Sequence, residues 1–173
     1  GFPERLSGEW FVSHTRCGPL VHARLGVARE NSGKLVSTVR QAAREVAEAQ
    51  GRDLVLVDGP PGIGCPVIAA ITGASAVLAV TEPTVSGEHD LLRVMELCRH
   101  FGIDAAVCVN KWDLNPGMTE RIENMAAGKG AAVAGRIRYD PGVTGAQLEE
   151  KAVVETGAVS ARDFGEIWAA LGY

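Results

Sequence analysis

Two loops that follow apolar segments carry residue types suited to nucleotide chemistry. The first is "DGPPGIG" (58–64), which comes directly after the apolar run "LVLV" (54–57). Open α/β sheets bind ligands at the carboxyl ends of their parallel strands, and a carboxylate there, Asp58, can hold Mg²⁺ through water. Pro60 begins a restricted turn, after which the amide of Gly62 can face a γ-phosphate. The alternative is a βα loop in which Asp58 simply caps the next helix.

The second loop ends the stretch "VCVNKWD" (107–113). Here the Asn110 amide can hydrogen-bond a purine base, and the alkyl stem of Lys111 can lie along the ring. Asp113 can accept hydrogen bonds from the N1 and N2 donors of guanine. The N-K-x-D pattern is common by chance, and the alternative is a polar loop in which Asn110 holds backbone. Its position two strand–helix units after Asp58, at the same predicted sheet edge, favours the binding interpretation.

Two more loops are predicted at this edge. In "IRYDPGV" (137–143), Asp140 and Pro141 are expected to fix a loop that closes over the base. The acidic stretch "TEPTVSGEHD" (81–90) suits either a partner surface or a solvated helix start.

The stretch "ENSGKLVS" (30–37) contains a Gly-Lys pair but does not match a phosphate-binding loop of the Walker A type. That loop requires G-x-x-x-x-G-K-[ST] directly after a strand. Here Ala28 occupies the first glycine position, and Leu35 stands directly after Lys34 where the motif needs a hydroxyl residue. A helix start capped by Asn31 or Ser32 explains the stretch, with Lys34 as a surface charge. A role for Lys34 near a phosphate or a partner subunit stays open.

Strand-type and helix-period segments alternate from about residue 33 onward, which predicts βαβ units and an α/β fold with a mostly parallel sheet and flanking helices. The predicted strands are 53–59, 75–83, 104–110 and 131–137. The predicted helices are 35–49, 65–74, 87–100, 115–127, 144–151 and 160–171. Asn115 is the expected N-cap of one helix, and Ser160 with Asp163 forms a capping box for the last.

Residues 1–30 lack this alternation of strands and helices. Their pattern predicts a β-rich segment with two β-strands joined by a Cys-Gly-Pro turn. We expect residues 1–173 to form a single α/β nucleotide-binding domain that begins with this segment.

Composition excludes several classes of protein. The 173 residues carry a net charge of −4, which provides no basic field for nucleic acid or an anionic membrane. No apolar run is long enough to span a bilayer, no secretory signal is present, and a cytoplasmic protein with reduced thiols is expected. His14, Cys17 and His22 straddle a turn at irregular spacing, which argues against a metal site. Cys65 is either redox-sensitive or a small apolar core residue.

"DGPPG" (58–62) followed by "NKWD" (110–113) resembles the MinD/ParA family of P-loop ATPases, a SIMIBI-type fold related to nitrogenase iron protein and Mrp-like carriers. The resemblance covers nearly the whole chain and is strongest to the MinD-like subgroup with a ferredoxin insert, residues 9–36 looking like the return from that insert. It implies that Asp58 is the Walker B acid and Mg²⁺ ligand and that Gly62 senses the γ-phosphate. Asn110 would contact adenine. The resemblance further implies ATP sandwiched in a homodimer and an iron–sulfur or redox-linked role, with the cluster on the insert.

The chain departs from this family by lacking the P-loop, the switch I aspartate and the ferredoxin cysteines. In the family, the P-loop strand pairs beside the strand that ends at Asp58, and an open ladder there leaves backbone groups unpaired. We therefore expect a C-terminal fragment of a longer ATPase, with the loop on another segment, or a gap filled by residues 9–25 or a neighbouring chain. Hydrolysis by this chain alone would then be weak or absent. The alternatives are a GTP-dependent switch, because Asp113 completes the guanine pattern, and a non-catalytic interaction module.

Overall fold

The computed structural model describes residues 8–25 and 33–172. The chain divides into two compact units, Gly1–Thr72 and Gly73–Tyr173, and each is described by itself.

The first unit begins with an antiparallel hairpin of β1 (Gly8–Thr15) and β2 (Gly18–Leu25). The turn is closed by the Thr15 hydroxyl, which donates to the Gly18 carbonyl at 2.7 Å. Gly18 has φ +125°, a conformation that residues with a Cβ rarely adopt. The prediction of two β-segments is confirmed.

Two helices complete the described part of this unit, α1 (Gly33–Ala49) and α2 (Cys65–Ile71). The Arg40 guanidinium donates to the carbonyl oxygens of Ala69 (2.8 Å) and Thr72 (2.6 Å), which ties α1 to the end of α2. The expected caps of α1, Asn31 and Ser32, lie outside the described residues.

The predicted strand 53–59 is wrong. Within the described residues, neither sheet includes this segment. Its apolar side chains are open to solvent, with exposed fractions of 41% for Leu54 and 81% for Leu56. An apolar run becomes a strand only when its backbone N–H and C=O groups bond a neighbouring strand, and here none of the described strands supplies those bonds.

The second unit contains a parallel sheet with the strand order β3 (Ala76–Thr81), β4 (Asp104–Asn110) and β5 (Ala132–Ile137). Four helices connect and flank these strands: α3 (Val85–His100), α4 (Pro116–Gly128), α5 (Gly142–Leu148) and α6 (Ala161–Ala170). The predicted α/β class with a parallel sheet is confirmed.

The core of this unit lies on both faces of β4. On one face, Val107 and Val109 pack with Ile122 of α4, and all three are completely buried. On the other face, Cys108 packs with Ile137 and Ile167 of α6. Burial raises the pKa of the Cys108 thiol to about 11. The alternation of faces along β4 is the usual consequence of the two-residue strand period.

The helix caps agree with the sequence at α4 and differ at α6. The Asn115 side chain accepts from the Met118 N–H at 3.1 Å, so the predicted cap is confirmed. The predicted capping box of Ser160 and Asp163 is wrong, because Ser160 has helical backbone angles and its side chain makes no cap hydrogen bond. Both side chains instead bind partners in the loop after β5, which are described below.

No helix in the described ranges is both long and apolar enough to cross a membrane.

Candidate functional site

In the second unit, the three strands end at one edge of the sheet, and a polar loop follows each of them. Thr81 of β3 lies opposite Val109 of β4, and Asn110 lies opposite Ile137 of β5. The register therefore brings the loops that begin at 82, 111 and 138 together, as the sequence predicted. This edge is where parallel sheets bind ligands.

Asn110 ends β4 with its side chain half-buried. Within the part of the chain that the structure describes, its amide makes no hydrogen bond, and no buried side-chain polar atom is left unpaired. The alternative in which Asn110 holds local backbone is therefore not what the structure shows. The amide can donate to and accept from a ligand at this edge.

Lys111 follows in the left-handed conformation, with φ 55° and ψ 38°, which terminates the strand. Its Nζ lies 2.6 Å from Oε1 of Glu82, the residue that follows β3. Both side chains are partly exposed, at 38% for Lys111 and 48% for Glu82. Nothing in the local sequence pattern predicts this pair, because its two residues lie 29 positions apart.

Asp113 is tied to the loop after β5, because its Oδ1 accepts from the Tyr139 N–H at 2.7 Å. The intervening Trp112 is also held in place. Its carbonyl accepts from the Thr119 hydroxyl, and the Arg136 guanidinium lies 5.3 Å from its ring centre. The N-K-x-D segment (110–113) is thus held by contacts with α4, with β5 and with the loop after β5.

Asp140 fixes the loop after β5, as predicted. Its Oδ1 accepts from the Gly142 N–H, and its Oδ2 accepts from both the N–H and the hydroxyl of Ser160, each at 2.8 Å. These donors, the Ser160 N–H foremost, hold the pKa of Asp140 below its usual value. Pro141 lies at the boundary between this loop and α5. Closure of the loop over a base stays a prediction.

A second clamp on the same loop was missed by the sequence analysis. Asp163 is buried and accepts from the backbone N–H and both Nε and Nη2 of Arg138 at 2.7–3.0 Å. The Arg138 hydrogen bonds lower the pKa of Asp163. Together, Asp140 and Asp163 bind the loop to the start of α6 and leave no acid for the predicted capping box.

The acidic stretch 81–90 forms the start of α3, with Thr84 as the N-cap that accepts from the Gly87 N–H at 2.9 Å. Glu88 is buried and pairs with Arg121 of α4 at 2.8 Å. A role as a partner surface stays untested.

The remaining candidates, Asp58, Pro60 and Gly62, belong to the first unit. Asp58 is exposed and, in the described ranges, has no hydrogen-bond partner. The alternative in which it caps the next helix is wrong, because the N-cap of α2 is Gly64. Gly62 has φ +91°, so the turn requires a glycine there. Pro60 is half-buried.

A resident metal does not fit the side chains of the described residues, which contain no group of three His, Cys, Asp or Glu able to hold an ion. One free carboxylate does suit Mg²⁺ that arrives with a nucleotide, because that ion commonly takes one or two carboxylates together with water and phosphate oxygens. Asp58 is an exposed carboxylate of this kind.

Sequence comparison finds two related proteins of Methanocaldococcus jannaschii. MJ0578, an uncharacterized protein, is 32% identical over 97 residues, which cover 56% of this chain and 34% of that protein. MJ0579, also uncharacterized, is 22% identical over 114 residues, which cover 66% of this chain and 41% of that protein. The chain thus matches less than half the length of either relative. No protein-family model matches it.

Structural comparison finds MinD cell division proteins. The Pyrococcus furiosus cell division ATPase MinD superposes with a TM-score of 0.66 at 18% identity, over 82% of this chain and 58% of that one. The Aquifex aeolicus MinC:MinD complex gives 0.64 at 20% identity, over 94% and 67%. Pyrococcus horikoshii MinD complexed with Mg-ADP gives 0.63 at 17% identity, over 79% and 55%. The chain has the α/β fold of the MinD-type P-loop ATPases.

Proposed function

We propose that this chain is the base-binding and Mg²⁺-binding part of an ATPase of the MinD/ParA family. The observation that carries the proposal is the Asn110 amide. It stands at the carboxyl edge of the parallel sheet without a hydrogen bond in the described residues, between an ordered lysine and a loop pinned by Asp140. An amide that both donates and accepts matches the complementary N6 donor and ring-nitrogen acceptors of adenine.

Adenine is favoured over guanine by the state of Asp113. Recognition of guanine uses both oxygens of this carboxylate for the N1 and N2 donors. One of them, Oδ1, already accepts from the Tyr139 N–H at 2.7 Å. Guanine would have to share or displace that bond and loosen the loop after β5. Adenine needs no carboxylate at this place, so ATP is the better-matched nucleotide.

In this proposal, Asp58 holds Mg²⁺ through water and the Gly62 amide faces the γ-phosphate. The positive φ of Gly62 and the free carboxylate of Asp58 are compatible with these roles. Catalysis of phosphoryl transfer depends on positioning and charge stabilisation, so weak or no hydrolysis is expected until a phosphate loop is supplied.

The phosphate loop would come from another segment of the same protein or from a partner, including a second copy in a homodimer. One observation in each unit supports this. Among the described strands, β3 bonds only β4, so its other edge is open. The apolar segment 54–57 is exposed and outside any ladder. Both are features that an added strand would satisfy. The single-domain organisation and a cytoplasmic location, which rest on length and composition, remain parts of this proposal. So does an iron–sulfur or redox-linked role on a ferredoxin insert, which rests on the resemblance.

The test is a titration of the chain with Mg-ATP and Mg-GTP, followed by ¹H–¹⁵N chemical shifts. We expect saturable shifts at 110–113, 138–140 and 142, with tighter binding of ATP. Asn110→Ala should weaken ATP binding about tenfold, as expected for loss of a hydrogen-bonded recognition group. Asn124→Ala, on the exposed side of α4, is the matched control and should have no effect.

Two results would contradict the proposal. Tighter binding of GTP would establish the GTP-switch alternative. Absence of shifts with either nucleotide at millimolar concentration would favour the non-catalytic interaction module.

A further inference from the structure

The ion pair between Glu82 and Lys111 joins the ends of two neighbouring strands at the proposed base site. Glu82 directly follows β3 and Lys111 directly follows Asn110 at the end of β4. Neighbouring strands lie roughly 4.8 Å apart. The ion pair, with Nζ of Lys111 2.6 Å from Oε1 of Glu82, therefore bridges the ends of β4 and β3. The alkyl stem of Lys111 belongs to this bridge and comes one residue after Asn110 in the chain.

The carboxylate that receives Lys111 stands on a constrained backbone. The Glu82 carbonyl accepts from the Thr84 N–H at 2.8 Å. A Cβ on Gly87 would lie only 2.3 Å from that same oxygen, so the turn is packed too closely for any other residue there. The backbone of Glu82 is therefore fixed, which limits the positions that its carboxylate can offer to Lys111.

Ordering this stem matters for binding because a lysine side chain has several rotatable bonds. A free stem must lose that conformational freedom when a base is laid against it, and the loss weakens binding. A stem held by an ion pair has already lost much of it before the ligand arrives.

We propose that Glu82 is a positioning residue for base binding. It holds the alkyl stem of Lys111 as a pre-formed apolar surface beside Asn110, on which the adenine ring lies. This inference rests on the proposed function, and it adds a residue outside the N-K-x-D motif. Glu82 acts through Lys111 and does not itself contact the base.

Adenosine is the suitable probe, because it carries the base without phosphates. With ATP, removal of Glu82 would also free the lysine charge to attract phosphates and would mask the effect. Binding to the full chain is followed by ¹H–¹⁵N shifts, which also report that each variant is folded. We expect Glu82→Ala to weaken adenosine binding about fivefold, the upper range for a partly exposed ion pair. Glu82→Gln, which can still accept from Nζ, should recover part of the loss.

The decisive measurement is a double-mutant cycle with Lys111→Met, which keeps an unbranched apolar side chain and removes the charge. In that background, Glu82→Ala should have no further effect, since no ion pair remains to be lost. A purely structural role of Glu82 would produce the same loss in both backgrounds. Glu149→Ala is the matched control, because it removes a Lys–Glu pair of the same kind with Lys151, 2.9 Å apart.

The outcomes separate this inference from the proposed function. If wild type binds adenosine and Glu82→Ala binds it equally well, or loses as much in the Lys111→Met background, the positioning role is refuted alone. If wild type binds neither adenosine nor ATP, the proposed function fails and the positioning role with it.

Discussion

Substituting Gly87 by alanine tests the packing that holds the start of α3. A Cβ at this position would lie 2.3 Å from the Glu82 carbonyl oxygen and 2.8 Å from the Thr81 hydroxyl oxygen. Real Cβ contacts essentially never fall below 3.0 Å. The carbonyl cannot simply turn away, because it accepts from the Thr84 N–H.

The expected cost follows from these contacts. Relieving a backbone clash in a packed turn costs about 1–3 kcal/mol of the free energy of unfolding. The shift also strains the bond from the Thr81 hydroxyl to the Gly87 carbonyl, worth about 0.5–1.5 kcal/mol. Alanine offsets part of this cost, by about 0.4–1 kcal/mol, because it reduces the conformational entropy of the unfolded chain. We therefore expect Gly87→Ala to lower the free energy of unfolding by about 2 kcal/mol.

The assay is urea denaturation followed by tryptophan fluorescence in a Trp10→Phe background. The remaining tryptophans, Trp112 and Trp168, then both report on the second unit. Gly117→Ala is the matched control, because it also lies in the first turn of a helix but its Cβ would meet only Asn115 Oδ1, at 3.9 Å. The control should be neutral or stabilising by up to about 1 kcal/mol. If the two variants unfold at the same urea concentration, the argument from close packing is refuted.

Three further predictions concern acids, thiols and the core. Arg138 lowers the pKa of Asp163 in the folded state. The interaction between Asp163 and Arg138 therefore stabilises the fold at pH values above the unfolded-state pKa of Asp163. This stabilisation is lost as the pH falls through the lower, folded-state pKa. The urea concentration at the midpoint of unfolding should therefore decrease when the pH is lowered below about 4. Asp163→Asn should make this midpoint less dependent on pH, and an unchanged pH profile in that variant would contradict the assignment. Iodoacetamide at pH 8 should modify the exposed Cys17 and Cys65. The buried Cys98 and Cys108 should react only after urea unfolds the chain, and mass spectrometry counts the modified thiols. Rapid labelling of Cys108 in the folded chain would contradict its pKa of about 11. Ile122→Ala, at a completely buried site, should lower the free energy of unfolding by about 2–5 kcal/mol. Leu148→Ala is the control, because Leu148 is 82% exposed, and it should lower that free energy by less than about 0.5 kcal/mol. Similar values for the two variants would be inconsistent with the core described.

Local patterns in the sequence predicted the elements of the second unit well. The strand 104–110 has the predicted bounds, because its apolar run is bordered by polar residues and a buried parallel strand needs no alternation. The cap at Asn115 was predictable because the interaction spans only three residues. Strand–helix alternation likewise indicated the parallel sheet.

The same reasoning failed where a residue's state depends on distant partners. The run 54–57 has the composition of a buried strand, but its ladder requires a neighbour that the described residues do not supply. Ser160 and Asp163 have the spacing of a capping box, yet Asp140 and Arg138 compete for them with charge-assisted hydrogen bonds.

The sequence by itself therefore determined which segments become helices and strands in the second unit and which polar loops follow the strands at one sheet edge. Those features depend on periodicity and on contacts within a few residues. Only the tertiary structure decided that Asn110 has no hydrogen bond within the described residues, that Asp113 has one oxygen engaged, and that Lys111 is held by Glu82. A hydrogen bond forms only when two atoms lie about 3 Å apart, and for residues 26 or 29 positions apart that distance is set by how the strands are laid side by side.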